Sequence, residues 1–225
     1  STQSRSSAAS DVYKRQEHTY IFAAVGFETT APVYAMLLKK ARGNGIENIR
    51  LLTSLKVMPP VIDWICGEKR DSGIDGFLAP GHVSVITGSR AFEGLAEKYG
   101  IPFVVAGFEG GQILAAIGAL VKLRGTGKTV NMYTSAVTRE GNRKAQAAVE
   151  EYFEPADASW RGMGVIPGSG MVLRKEYEAF DAGSRALMED KERNKGCCCA
   201  RVLTGKIRPC PVSYTHLTLP TIYSV

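Results

Sequence analysis

Three short segments of the sequence place a small turn residue beside a side chain that can bind or transfer a proton. They read Gly26–Phe27–Glu28–Thr29–Thr30, Pro80–Gly81–His82 and Gly107–Phe108–Glu109. Glycine permits a tight turn, while carboxyl and imidazole groups act as general acids and bases. Glu28, Thr29, Thr30 and His82 are therefore the candidate catalytic residues, and Gly26, Phe27, Gly81 and Glu109 are candidates for contacts to a bound group. Spacing alone leaves open that Glu28 and Thr30 only begin a helix and that His82 is an ordinary loop histidine.

Four of the five cysteines lie close together near the C-terminal end, at Cys197, Cys198, Cys199 and Cys210. Thiolates bind soft metals and iron–sulfur clusters, and a clustered set favours metal over a disulfide. Side chains of immediate neighbours diverge, so the segment offers three usable ligands, namely Cys197, Cys199 and Cys210. Cys66 is separate and is predicted to be a small core residue on an amphipathic helix.

Two glycine-rich segments resemble nucleotide-binding loops but fail in their spacing. Residues 125–129 end like a phosphate-binding loop, yet Lys122 stands where the pattern needs its first glycine. In the segment from Gly162 to Gly168, the third glycine is one residue too far along for a dinucleotide fingerprint. Both segments are therefore predicted to be turns.

The elements that must position these residues alternate along the chain. Apolar, β-rich runs predict strands at 18–25, 49–55, 74–78, 101–106 and 130–137. Helical spacing predicts helices at 31–42, from 59 onward, and at 92–99, 111–123 and 142–153, with 111–123 buried on most sides and 182–195 a linker. This alternation predicts an α/β fold with mostly parallel sheets. The carboxyl ends of parallel strands share one edge, so Glu28, Thr30 and His82 are expected in one cleft.

Composition excludes several classes of protein. The 225 residues are 44% hydrophobic and 22% charged, as in an ordinary globular protein. No apolar stretch is long enough to span a membrane and no secretory signal is visible, so a cytoplasmic location is expected. The net charge of +6 comes from scattered basic residues without aromatic interleaving, which disfavours nucleic-acid binding.

The two ends of the chain look like products of one DNA element. Back-translation of residues 6–16 gives a sequence whose reverse complement, in a shifted frame, encodes residues 212–221. Both peptides resemble a translated transposase sequencing adaptor, so 1–16 and 212–225 are predicted to be non-native. Residues 1–16 carry three basic residues and one acidic residue, which leaves +4 for the rest of the chain.

The remaining sequence resembles one protein family in motif after motif. The motifs are Gly26–Pro32, Asp75–Ser84, Gly107–Glu109, Arg139–Asn142, Trp160–Pro167 and Cys199–Gly205, in this order. Together they are similar to HypD, the family of [NiFe]-hydrogenase maturation factors. The resemblance covers essentially all of 17–210.

The resemblance implies two related α/β lobes, here an α/β lobe at 17–128 and a strand–helix segment of the second lobe with its linker at 129–190. A truncated cysteine-rich segment at 191–211 would belong to a [4Fe–4S] cluster. The implied function is a scaffold on which an Fe(CN)2CO unit is assembled together with a HypC-like chaperone and a HypE-like cyanide donor. Glu28, Thr29, Thr30 and His82 would line its cleft.

Departures from the family pattern matter for activity. The family's upstream Cys-Gly-Gly-His and Cys-Pro-x-Cys motifs and its later cluster cysteines are absent, and Ala79 stands where some relatives have cysteine. The chain is therefore predicted to be an inactive internal fragment with an incomplete cluster ligand set. Two alternatives remain: a small-molecule α/β enzyme with Glu28 and Glu109 as acid and base, and a protein-binding module.

Overall fold

The computed structural model describes residues 18–67, 74–160, 162–187 and 198–208. Within these ranges strands and helices alternate along the chain, which confirms the predicted α/β class. The strands form two separate sheets, one with four strands and one with three. The adaptor-like ends, together with Cys197 and Cys210, lie outside the described residues.

The first sheet combines a parallel pair with an antiparallel pair. Strand β1 (Tyr20–Gly26) runs parallel to β2 (Ile49–Lys56), and the helix α1 (Ala31–Gly43) connects them. Strand β7 (Gly164–Leu173) pairs antiparallel with both β2 and β6 (Phe153–Trp160), which gives the order β1-β2-β7-β6. Pairing of β6 with β7 was not foreseen from the sequence.

The second sheet is wholly parallel, in the order β3-β4-β5. Its strands are β3 (Phe77–Pro80), β4 (Phe103–Ala106) and β5 (Thr129–Asn131). The helices of the remaining chain are α2 (Met58–Gly67), α3 (Gly81–Thr87), α4 (Glu93–Tyr99), α5 (Gly110–Leu123), α6 (Arg143–Tyr152) and α7 (Cys199–Leu203). Short 3-10 turns lie at Ser89–Phe92, Lys175–Phe180 and Ser184–Leu187.

Local patterns explain how α1 packs on the first sheet. Pro32 stands at the start of the helix, where its missing N–H is not needed. Ala31, Ala35 and Leu38 recur on one face of α1 and are completely buried. They pack in one cluster with Ala24 of β1 and with buried residues of β2. Small alanines allow the helix to approach the sheet closely, so this part of the fold follows from its sequence.

The expected strand at 130–137 is wrong beyond Asn131. The side-chain oxygen of Asn131 accepts a hydrogen bond from the backbone N–H of Tyr133 at 2.9 Å. Its amide group donates to the carbonyl oxygen of Val137 at 2.7 Å. The side chain therefore competes with strand pairing and turns the chain after three residues.

The prediction that helix 111–123 is buried on most sides is also wrong for the described structure. Ala116 of α5 is fully buried against Val104 and Ala106 of β4. Leu114 and Val121 on the outer side are 72% and 71% exposed. The helix is apolar all round, but only one of its faces has a partner among the described residues.

Two crossings carry the chain between the sheets, through α2 in one direction and α6 in the other. Before α6 the chain passes very close to α3, where the N–H of Asn142 donates to the carbonyl oxygen of Ile86 at 3.1 Å. Gly141 adopts φ +69° there, and a Cβ atom would lie 2.3 Å from that oxygen. Glycine is thus required at this crossing. Within the described ranges, no helix combines the length and apolar character needed to cross a membrane.

Candidate functional site

Glu28 is a buried carboxyl in the turn that follows β1, with 7% of its surface exposed. Its Oε1 accepts a hydrogen bond from the backbone N–H of Met58, the first residue of α2, at 2.7 Å. Its Oε2 is buried and has no hydrogen-bond partner among the described residues. Burial raises the pKa of Glu28, and the hydrogen bond from Met58 opposes this shift. The side chain therefore combines one oxygen that is fixed by a hydrogen bond with one buried oxygen that has no such bond among the described residues.

The loop that contains Glu28 is stabilised by hydrogen bonds between its own residues. The Thr30 hydroxyl donates to the carbonyl oxygen of Phe27 at 2.9 Å, and the backbone N–H of Thr30 donates to the same oxygen. Gly26 has φ +148°, and a Cβ atom at this position would lie 2.0 Å from Oγ1 of Thr30. Thr29 is half-buried in the same turn. Gly26 and Thr30 thus fix the loop, and the hydroxyl of Thr30 is already used inside it.

Phe27, Trp160 and Lys56 form an aromatic and basic surface beside Glu28 that was not predicted from the sequence. The rings of Phe27 and Trp160 are 6.2 Å apart between centroids. The Nζ atom of Lys56, at the end of β2, donates to the carbonyl oxygen of Ser159 at 2.5 Å and lies 5.4 Å from the Trp160 ring centroid. Burial lowers the pKa of Lys56. The sequence singled out Phe27 and the motif that begins at Trp160, but it gave no signal for Lys56 or for the contact between the two rings.

Trp160 is itself fixed from the β7 side. Its Nε1–H donates to the hydroxyl oxygen of Ser169 at 2.7 Å, and this hydroxyl donates to the carbonyl oxygen of Ile166 at 2.8 Å. Ser169 is completely buried, and its carbonyl oxygen accepts from the N–H of Val57 at 2.9 Å. Trp160, at the end of β6, is therefore fixed by hydrogen bonds to the interior of β7.

His82 and Gly81 lie at the start of α3, after β3 of the second sheet. A Cβ atom at Gly81 would be 2.6 Å from Tyr133 and 2.7 Å from the carbonyl oxygen of Ala106, so the position requires glycine. His82 is exposed, and its ring centroid is 5.1 Å from that of Phe108. Glu109 follows Phe108 and is also exposed. These residues form a second, open group at the carboxyl ends of β3 and β4.

The structure therefore divides the predicted site between two sheets. Gly26, Phe27, Glu28, Thr29 and Thr30 follow β1 of the first sheet, while Gly81, His82 and Glu109 follow strands of the second. The expectation that these loops open from the edge of one common sheet is wrong, because β1 and β3 do not share a sheet. Strand and helix periodicity is a local signal and does not specify which strands pair.

The cysteine segment reaches the described structure only in part. Cys199 begins α7, and Cys198 is half-buried just before it. Gly162, with φ +75°, faces α7 so closely that a Cβ atom would lie 3.0 Å from the Cβ of Ala200. No group of three or more His, Cys, Asp or Glu side chains in the described ranges is arranged to hold a metal ion. Cys66 is buried in the core of the second sheet, as predicted, and burial raises its pKa to about 11.

Sequence comparison settles the family. The HypD family model, described as the hydrogenase formation hypA family, matches residues 2–218. The chain belongs to the HypD family. This confirms the resemblance of its motifs to HypD. The matched range overlaps both adaptor-like ends, whose non-native origin stays a prediction.

Three relatives illustrate the extent of the similarity to HypD proteins. A putative hydrogenase expression/formation protein of Methanocaldococcus jannaschii is 39% identical over 211 residues, covering 91% of this chain and 58% of its own length. The hydrogenase maturation factor HypD of Cupriavidus necator is 36% identical over 206 residues, covering 87% and 54%. That of Escherichia coli K12 is 37% identical over 199 residues, covering 85% and 53%. The chain thus spans about half the length of the HypD relatives that it matches.

Proposed function

We propose that this chain is part of a HypD-type factor that acts in [NiFe]-hydrogenase maturation, as a scaffold for assembling the Fe(CN)2CO unit. The family match over residues 2–218 carries this proposal. The iron unit is cargo in this reaction, and the proposed partners are a HypC-like chaperone and a HypE-like cyanide donor. The proposed location is the cytoplasm. Because the relatives are about twice as long, the activity belongs to the intact parent protein.

Glu28 is proposed as the proton-handling group of the scaffold. One oxygen is fixed by the N–H of Met58, and the other is buried without a hydrogen-bond partner in the part of the chain that the structure describes. A raised pKa keeps the proton on the carboxyl at higher pH than usual. The group is therefore suited to give a proton to, or take one from, a cargo ligand that reaches Oε2.

The other predicted residues receive separate roles. Thr29 and the Gly26–Phe27 backbone are proposed to contact the cargo, while Thr30 orients the loop through Phe27. His82 and Glu109 are proposed to act from the second sheet, as an exposed proton-handling group and a contact residue. The acid–base enzyme alternative would pair Glu28, which is buried after a strand of the first sheet, with Glu109, which is exposed after a strand of the second.

A resident [4Fe–4S] cluster does not fit the residues present. Such a cluster takes four cysteine ligands, while this segment offers three usable thiols at Cys197, Cys199 and Cys210. Of these, only the backbone of Cys199 lies in the described part of the chain, at the start of α7. No step of the proposal depends on this cluster.

A paired substitution in a full-length relative tests the role of Glu28. The residue aligned with Glu28 is changed to glutamine in the Cupriavidus necator protein, and hydrogenase activity is measured in cells that lack their own copy. We expect maturation to fall at least tenfold while the thermal melt stays within a few degrees. The control is the same change at the residue aligned with Glu97, an exposed glutamate of α4. Full maturation with the first variant would reject the role of Glu28.

A further inference from the structure

We propose that the free edge of β1 and its exposed face form a docking surface for a further parallel strand and helix, supplied by the part of the parent polypeptide outside these 225 residues. The open face consists of Ile21, Ala23 and Val25. This inference rests on the proposed function for its consequence, which is that the added strand completes the site at Glu28.

The open face is unusual for a parallel strand. Ile21 and Val25 are 62% and 61% exposed, and Ala23 between them is exposed as well. Alternate side chains of a strand point to one face, so these three residues form one apolar surface. On the other face Ala24 is completely buried beneath α1. Parallel strands are usually covered on both faces, and no described residue covers this face of β1.

Strand β1 also lacks the features that protect the edge strands of native sheets from further pairing. Within the described ranges, β1 pairs with β2 alone. Native edge strands are protected from pairing by charge, proline or a bulge. The sequence Tyr20–Gly26 has no charged residue and no proline, and its pairing has no register shift.

Strand β6, at the opposite edge of the same sheet, provides the contrast. It contains Glu154, Pro155 and Asp157, and its pairing shifts register between Ala156 and Ala158. Charged residues, proline and a register shift are the features that protect an edge strand from pairing with another strand. One edge of the sheet is therefore protected, and the edge at β1 is suited to pairing.

The handedness of strand–helix–strand units indicates on which side of β1 the added strand and helix lie. The connection strand–helix–strand is right-handed in nearly all proteins. When successive strands of a parallel sheet are added toward the same edge, their connecting helices therefore lie on the same face of the sheet. Helix α1 already covers that face for β1 and β2. A helix on the open face therefore belongs to strands added on the other side of β1, which makes β1 the point where the winding reverses. Ligands of such sheets bind beyond the carboxyl end of that strand, which is the position of Glu28.

The occupant is a segment of the same polypeptide rather than a second copy. The relatives are longer by nearly half of their own length, since this chain covers 58%, 54% and 53% of three of them. A stable dimer buries about 800 Å² on each partner, and one strand edge with three small or medium side chains offers much less. Within one polypeptide no such area is needed, because the association is intramolecular.

Cysteine labelling in the full-length Methanocaldococcus jannaschii relative tests the docking surface. Single cysteines are introduced at the positions aligned with Val25 and Val33, and the native protein is treated with a maleimide before mass spectrometry of the labelled peptides. Val33 is a matched control on the outer side of α1, of the same type and 63% exposed. We expect at least tenfold slower labelling at the Val25 position in the full-length protein and equal rates for Val25→Cys and Val33→Cys in the present chain. Equal rates in the full-length protein would overturn the proposal.

Two further measurements keep the outcome clear. Ala23→Cys provides a second probe on the open face, should the cysteine at position 25 prevent folding. If the present chain is a dimer in sedimentation and Val25→Lys makes it a monomer, the face belongs to a second copy and the proposal is wrong.

Protection at Val25 does not depend on maturation, so protection together with a fully active Glu28 variant would retain the docking surface and reject only the proposed role of Glu28.

Discussion

The carboxyl oxygen Oε1 of Glu28 accepts a hydrogen bond from the backbone N–H of Met58 at 2.7 Å, and this contact joins the end of β1 to the first turn of α2. A carboxylate at a helix N-terminus is stabilised by the helix dipole and by the free N–H groups. Burial acts in the opposite direction and dominates, because the pKa of Glu28 is raised. The hydrogen bond between Glu28 and Met58 therefore has favourable geometry, but the negative charge of the buried carboxylate is destabilising.

The pH dependence of stability follows from that raised pKa. Between the ordinary pKa of 4.5 and the higher pKa of the folded state, the folded protein binds more protons than the unfolded chain. The contribution of Glu28 to the free energy of unfolding therefore falls as pH rises through this window and then stays constant. Glu28→Gln keeps an oxygen for the Met58 N–H but carries no charge, so it does not show this loss.

Thermal melts between pH 4.5 and 8 measure the effect. We expect the melting temperature of Glu28→Gln, relative to the unmodified chain, to increase with pH. Glu109→Gln is measured in parallel as the control, because Glu109 is an exposed glutamate in the same Gly-Phe-Glu sequence. A flat or falling difference for Glu28→Gln would contradict the assignment of a buried, charge-disfavouring site.

A second prediction concerns the conformation of Gly26. Alanine at this position would retain φ +148° and place its Cβ 2.0 Å from the hydroxyl oxygen of Thr30. We expect Gly26→Ala to reduce the free energy of unfolding by about 1–3 kcal/mol, the range for a residue forced into a sparsely populated conformation. Urea unfolding gives the value.

Gly43→Ala is the matched control for Gly26→Ala. Gly43 is the last residue of α1, and an added Cβ there meets nothing within 4 Å. Alanine is favoured over glycine in helices, so this change should be neutral or stabilise the protein by up to about 1 kcal/mol. Equal losses from both substitutions would show that the loop at Gly26 is not strained by a side chain.

Local pattern was sufficient to predict β1, α1 and β2, because their apolar spacing and the glycine at the end of β1 act within a few residues. It was insufficient for the site, because Glu28 and Glu109 follow the same Gly-Phe pair and still differ in burial. Glu28 is buried where its carboxyl meets the first turn of α2, while Glu109 stays exposed. The division into two sheets is likewise a matter of contacts distant in sequence, which periodicity does not contain.

A third prediction tests the fixation of Trp160 by Ser169. The indole N–H donates to the Ser169 hydroxyl at 2.7 Å, and Ser169 is completely buried. A neutral hydrogen bond contributes about 0.5–1.5 kcal/mol to stability. We expect Trp160→Phe and Ser169→Ala to be coupled by a similar amount in a double-mutant cycle measured by urea unfolding. Additive losses would mean that the hydrogen bond between Trp160 and Ser169 does not contribute to stability.

The fourth prediction concerns iron binding by the cysteine segment. A [4Fe–4S] cluster takes four thiolates, and the sequence predicts three usable ones, at Cys197, Cys199 and Cys210, because adjacent residues such as Cys198 and its neighbours are not expected to bind one cluster together. We expect anaerobic reconstitution of this chain to give labile iron well below four atoms per protein. The full-length Escherichia coli relative, treated in parallel, is the control for the reconstitution itself. A stable cluster with four irons on the present chain, seen by iron analysis and by its visible absorption, would show that the ligand count is wrong and that Cys198 or another side chain completes the site.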